Sequence, residues 1–195
     1  MININYGQTN FRDIVTDDLY YVDRTHYLPI LENSGAAYVA FFRPRRFGKS
    51  LWISVLAHYY GIQYKDDFEF LFGKFYIGKK PTKRTNSYLI LRFNFSAIGT
   101  QTDEILHTSF LNRIKESISS FIKTYPQYFD EVSRQNILSK TEAYDVMAAF
   151  FEQLNGAEHP IYLLLDEYDH YANDLITLRL DSFKKCSHNI VSLCF

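Results

Sequence analysis

Gly48-Lys49-Ser50 and Asp166-Glu167 are the residues of this chain whose types and spacing can do chemistry. A Gly-Lys-Ser triplet placed between an apolar run and a helix suits the binding of a phosphate chain. The amides of a tight loop and of the first helical turn point outward, and the positive end of the helix dipole adds to their attraction for anions. Gly48 leaves space for the phosphates, Lys49 can extend its ammonium to the terminal ones, and the Ser50 hydroxyl can complete the shell of a bound Mg²⁺. Arg45, Arg46, Phe47 and Leu51 flank the triplet and complete the candidate nucleotide-binding set. Such a loop reads phosphates and not the base, so ATP and GTP fit it alike.

The loop departs from the usual spacing of Gly, four residues, then Gly-Lys-Ser/Thr. Arg43 stands where the first glycine belongs. Pro44 pushes Arg43 toward extended geometry and carries no N–H of its own, so the loop begins later and has one donor fewer. Arg45 and Arg46 can offset that loss electrostatically; they can equally pair with acidic side chains or face solvent.

Ile161-Tyr-Leu-Leu-Leu-Asp166-Glu167 is an apolar run ending in two carboxylates, the form of a Walker B strand. Adjacent strand residues point to opposite faces, which allows separate roles. Asp166 is assigned to hold Mg²⁺ through its water shell, with Ser50 as the other metal contact. Glu167 is assigned as the catalytic base that orients and deprotonates the attacking water. A strand running into a charged turn is the bland alternative, and the order of the two motifs favours the nucleotide site.

Tyr20-Tyr-Val-Asp-Arg-Thr25, Arg43-Pro-Arg-Arg-Phe-Gly-Lys-Ser-Leu51 and Leu165-Asp-Glu-Tyr-Asp-His170 together resemble a predicted AAA-ATPase-like family, found mainly in bacteria. The resemblance runs from about Tyr6 to Lys184. Members often form the front half of a longer protein whose back half is a PD-(D/E)XK nuclease-like domain, which is thereby a candidate partner. The family commonly has Arg-Pro-Arg-Arg-Phe-Gly-Lys in its phosphate loop, so Arg43 departs from the general pattern without departing from the family. The resemblance implies a cytoplasmic ATP-binding domain with an additional-strand P-loop core and Mg²⁺-dependent hydrolysis in the complete parent. The rival is a non-hydrolysing nucleotide sensor or a scaffold whose aromatic surface docks a partner or the nuclease-like domain.

The elements that must position these residues read as α/β. Strands are expected at 37–43, 88–95 and 161–167, with a helix over Leu51 to Tyr60. Leu111, Ile114, Ile118 and Phe121 recur at helical spacing, as do Ala143, Val146, Met147, Phe150 and Leu154. Ser139-Lys-Thr-Glu142 fits a capping box for the second of these helices. The expectation is a P-loop NTPase-like, mostly parallel sheet flanked by helices and truncated at its C-terminus. Residues 1–35 read as a leader in which Thr25 caps a short helix through Glu32, with Asp23 or Arg24 as candidate base or ribose contacts. Asp169 and His170 extend the Walker B end, where either can sense the γ-phosphate or relay to a neighbouring domain, though hydrogen bonding of the loop itself is the plainer reading.

The nucleotide-binding domain is expected over 1–185, with an atypical tail at 186–195 from truncation or a frame-shift. Ile190 to Phe195 is expected to substitute for the strand that family members insert between the Walker A and Walker B strands. Cys186, His188 and Cys194 make a poor metal set, lacking a fourth ligand.

A chain of 195 residues with 47% hydrophobic side chains suits one domain with a sizeable core. The formal net charge of −1 gives no general reason to expect nucleic-acid binding. Lys79, Lys80, Lys83 and Arg84 form a local basic patch that could touch a nucleic-acid backbone, though a solvated connection is the plainer reading. The sequence shows neither a signal segment nor a long uncharged apolar run, so membrane insertion is not indicated. Two cysteines supply no disulfide framework.

Overall fold

The computed structural model describes residues 7–42, 44, 46–96, 98–99 and 101–168. Their helices run in the order α1 (Phe11–Thr16), α2 (Tyr27–Asn33), α3 (Lys49–Tyr60), α4 (Phe68–Phe72), α5 (Tyr76–Lys79), α6 (Asp103–Thr124), α7 (Glu131–Ser139) and α8 (Ala143–Gln153). Two strands, β1 (Leu89–Asn94) and β2 (Ile161–Asp166), form the sheet present among these residues. The Leu89 amide donates to Pro160 O at 2.9 Å and the Phe95 amide to Asp166 O at 3.0 Å, so partners advance together and the pair is parallel. The chain divides into two compact units, Met1–Ile90 with His159–Tyr162 and Leu91–Glu158 with Leu163–Phe195.

In the first unit α3 is the central helix. Ser54, Val55, Tyr59 and Tyr60 are buried along it, and Gly61 ends it in an extended conformation. Asn10 caps α1 by accepting the Arg12 amide at 3.1 Å, which sets Phe11 into the core. The Phe11 amide donates to the buried Ser54 hydroxyl at 2.9 Å, and its ring stacks on Phe72 with centroids 5.0 Å apart. The leader is thus packed on α3.

Asp23 and Thr25 make a second tie. Asp23 Oδ1 accepts the Thr25 amide and hydroxyl at 2.8 and 2.7 Å, while Oδ2 accepts the Tyr76 amide at 2.8 Å. The fully buried Thr25 hydroxyl accepts the Ile77 amide at 3.1 Å. Thr25 therefore does not cap α2, whose N-cap residue is His26 and which ends at Asn33. Its hydroxyl instead satisfies an orphan amide at the start of α5, which would otherwise be buried without a partner.

The basic loop after α5 is held by a polar network. Tyr60 and Thr82 hydroxyls donate to Glu32 Oε1 at 3.1 and 2.7 Å, and the Tyr59 hydroxyl accepts the Thr82 amide at 2.8 Å and the Thr85 hydroxyl at 2.8 Å. Burial and then the Glu32 carboxylate push the Tyr60 phenol far above its ordinary range, so it stays a donor.

The second unit is built on α6, α7 and α8. Thr102 caps α6 by accepting the Ile105 amide at 3.1 Å, and Ile114, Ile118 and Phe121 form its buried stripe. Val146, Met147 and Phe150 answer from α8, with Phe121 and Phe150 rings edge to face at 5.0 Å. Both stripes are core faces, as their spacing indicates. The capping box is not formed: Ser139 is the last residue of α7 and its hydroxyl donates to Asn136 O at 3.0 Å. Glu142 begins α8 without capping it and instead lies 3.2 Å from His107 Nε2. The intervening α7 went unanticipated because its apolar residues are sparse; Ile137 is the one it buries.

The expected strand at 37–43 is absent over its described residues 37–42. Tyr38, Val39 and Phe42 are 65%, 53% and 80% exposed. β-branched and aromatic composition gives a strand preference that burial must complete, and these three side chains lie largely in solvent. The stretch expected beside it, Ile190–Phe195, lies outside the described residues, as do Asp169, His170, Cys186, His188 and Cys194.

Candidate functional site

Gly48 sets the geometry of the loop that enters α3. Its backbone is left-handed, with φ 78° and ψ 26°, and it stands as the N-cap of α3. Nothing lies within 4 Å of the place a Cβ would take, so the demand for glycine comes from the backbone angle and not from crowding. Its carbonyl accepts the Trp52 amide at 2.9 Å and starts the helical ladder. As a glycine it offers no side chain to cap the first turn, where Ser, Thr or Asp would normally sit.

Arg46 is also left-handed, with φ 67°, an uncommon choice for a side chain with a Cβ. Two left-handed residues flanking Phe47 turn the chain sharply into α3. Arg46, Phe47 and Gly48 are exposed, and Lys49, Ser50 and Leu51 are half-buried. All six belong to the first unit. Arg45 lies outside the described residues, as does Arg43. One turn into the helix, the Trp52 ring stacks on Phe41 at 6.4 Å between centroids, fixing the direction of entry.

Asp23, a candidate base contact, is committed elsewhere. Partial burial pushes its carboxyl up, but the bonds from the Thr25 hydroxyl and the Tyr76 and Thr25 amides, with His26 nearby, outweigh this and hold it below the usual carboxylate range. It is an anchor of the leader.

Asp166 and Glu167 belong to the second unit. Asp166 is the last residue of β2 and its side chain is 3% exposed. A carboxylate so placed requires compensation, and Arg92 of β1 supplies it, with Nη2 2.8 Å from Oδ2. The Glu167 amide donates to Oδ1 at 3.1 Å. Both carboxylate oxygens are therefore oriented from known directions.

Glu167 itself departs from the strand geometry expected of it. Its φ is 58°, in the left-handed region, so simple alternation across a strand does not set where its side chain goes. The chain turns out of β2 at this residue, half-buried, and Tyr168 follows in helical geometry. A glutamate held left-handed stores about 1 kcal/mol of backbone strain, the kind found where a catalytic side chain must be aimed.

Arg92 is the residue that sequence reasoning missed. The signal was present: it is the one charged side chain in Tyr88-Leu-Ile-Leu-Arg-Phe-Asn-Phe95, an otherwise apolar and aromatic strand with a single amide. The reading of 88–95 as a core strand gave Arg92 no role.

Carboxylate and hydroxyl oxygens are the donors Mg²⁺ takes, and it keeps most of its water shell, so Asp166 and Ser50 are of the right type. Among the described residues no group of three or more His, Cys, Asp or Glu is poised as a self-contained metal cage. Among the same residues no helix is long and apolar enough to cross a membrane.

No curated protein and no solved structure matches the chain. A family model does: that of the family described as Predicted AAA-ATPase matches residues 5–193, which takes in the leader, the glycine-initiated α3 and the acidic end of β2. By that match over nearly its whole length, the chain belongs to the predicted AAA-ATPase family, a membership that points to nucleotide binding.

Proposed function

We propose that this chain binds ATP with Mg²⁺ and belongs to a protein that hydrolyses it. The left-handed Gly48 at the start of α3, followed by Lys49 and Ser50 in the first turn, is the observation that carries the reading. In it the α3 amides and Lys49 receive the phosphates, and Arg46, Phe47 and Leu51 line the approach. Arg45 is assigned there on its place in the motif alone. On their places in the two motifs, Ser50 and Asp166 are each assigned to Mg²⁺, which Asp166 would hold through water. Bound Mg²⁺ would neutralise the phosphate oxygens and favour in-line attack. Glu167 takes a proton from the attacking water, a role its left-handed backbone and half-buried position support. A nuclease-like domain and cytoplasmic residence belong to the proposed parent protein.

The test is Mg²⁺-dependent binding of labelled ATP to wild type and Lys49→Ala, with GTP as competitor and phosphate release followed in the same samples. Wild type should bind and Lys49→Ala should lose binding by a hundredfold or more, roughly 3 kcal/mol of charge-assisted contact. Glu167→Gln should keep ATP and release no phosphate. Equal binding by Lys49→Ala would overturn the phosphate-loop assignment, and normal release by Glu167→Gln would overturn the base. Binding without release by wild type would leave the nucleotide-sensor reading in place.

A further inference from the structure

We propose that Arg92 is a counter-ion of Asp166 in the nucleotide-free protein and withdraws from that carboxylate when Mg²⁺ arrives with nucleotide. The inference rests on the reading that Asp166 serves Mg²⁺, and adds to it a residue with a part in metal loading.

The geometry has three parts. The Asp166 side chain is 3% exposed, whereas that of Arg92 is 39% exposed, so one partner is fixed in the interior and the other reaches water. Their contact is a single one, Nη2 to Oδ2 at 2.8 Å, and not the two-pronged fork that makes an arginine–carboxylate pair hard to open. Finally, the Glu167 amide holds Oδ1 at 3.1 Å and the Phe95 amide holds the Asp166 carbonyl at 3.0 Å, so the carboxylate keeps its orientation without Arg92.

These features divide the work. Backbone amides aim Asp166, and Arg92 neutralises it. A carboxylate shut away from water at the end of an apolar strand needs positive charge beside it, and Arg92 brings that charge from β1. A guanidinium and a divalent ion served by one carboxylate repel each other. Of the two, the guanidinium is on a flexible stem that already reaches solvent, and an exposed arginine is well hydrated, so it withdraws. Arg92 is a positioning residue in this scheme: it touches Asp166 and sets how readily Asp166 accepts the metal.

Mn²⁺ in place of Mg²⁺ gives a readout apart from turnover, because free and bound Mn²⁺ differ in their electron paramagnetic resonance signal. The measurement is the Mn²⁺ affinity of protein saturated with a non-hydrolysable ATP analogue, for wild type, Arg92→Gln and Lys49→Ala, beside the thermal midpoint of each with analogue in Mg²⁺ or in EDTA. Arg92→Gln should bind Mn²⁺ about tenfold more tightly than wild type, a common size for coupling between linked sites. Its midpoint should be lower than wild type in EDTA and rise further on adding Mg²⁺. Equal or weaker Mn²⁺ binding by Arg92→Gln would show that Arg92 only supports the fold, and overturn the exchange. Should wild type take up neither analogue nor metal, the nucleotide reading itself fails and this inference with it. Wild-type binding that Lys49→Ala abolishes keeps the reading and leaves Arg92→Gln to decide.

If Arg92→Gln does not fold, wild type still answers. The ¹⁵N signal of the Arg92 side chain, assigned by its loss in Arg92→Lys, should move when Mg²⁺ joins the bound analogue and stay put with analogue in EDTA. A signal unmoved by Mg²⁺ would overturn the proposal.

Discussion

At the scale of single residues, Gly48 and Glu167 both have left-handed backbones, one without and one with a Cβ. Gly48 is left-handed with open space around it, so any residue with a Cβ meets strain and no clash. Gly48→Ala should lower stability by about 1 kcal/mol, read from the denaturant midpoint at unchanged slope. A loss several times larger would mean that packing, and not the backbone angle, demands glycine there. Glu167 gives the converse prediction, because it pays the left-handed penalty with a glutamate at φ 58°. Glu167→Gly should be as stable as wild type or slightly more so, by up to about 1 kcal/mol, while losing phosphate release. Marked destabilisation would show that the Glu167 side chain supports the fold. That a helix begins just after Gly48 was legible from the sequence. The left-handed turn at Glu167 was not, since nothing in Leu-Asp-Glu-Tyr marks where β2 stops.

At the scale of elements, the leader depends on hydrogen bonds that join residues some 50 positions apart. Asp23 accepts from Thr25 and from the first amide of α5. Its carboxyl is held below the ordinary value, so the folded form binds a proton less readily than the unfolded chain. The stabilisation is then fully present above the unfolded pKa, about 4, and is lost as pH falls through the lower folded value. Asp23→Asn should cost about 1 kcal/mol at pH 7 and flatten the fall in stability below pH 4, with wild type and variant converging in acid. Parallel curves for the two proteins would deny Asp23 this role. Sequence reading saw Asp23 and Thr25 as a motif but gave them a ligand and a helix cap. Their partners Tyr76 and Ile77 are distant in the chain, and local pattern has no means to find them.

At the scale of the whole molecule, nucleotide binding and stability are linked. A ligand at 100 times its dissociation constant stabilises the form that binds it by about 2.7 kcal/mol. ATP with Mg²⁺ should therefore raise the thermal midpoint of wild type by several degrees and leave Lys49→Ala unmoved; a like rise in Lys49→Ala would place the effect away from α3. What the sequence alone determined was local: the helices, whose 3.6-residue apolar stripes at Ile114, Ile118 and Phe121 and at Val146, Met147 and Phe150 are buried as read, and the strands at 89–94 and 161–166. It also determined the family, because Arg-Arg-Phe-Gly-Lys-Ser and Leu-Asp-Glu-Tyr are short contiguous signatures. Tertiary structure decided whatever depends on a partner far along the chain. Residues 37–42 have strand composition but no strand, because composition supplies only a preference. Arg92 had no role in the strand reading until the β1–β2 register set it against Asp166, 74 positions away. Local propensity is written residue by residue, whereas the compensation of a buried charge is a property of which strands lie side by side.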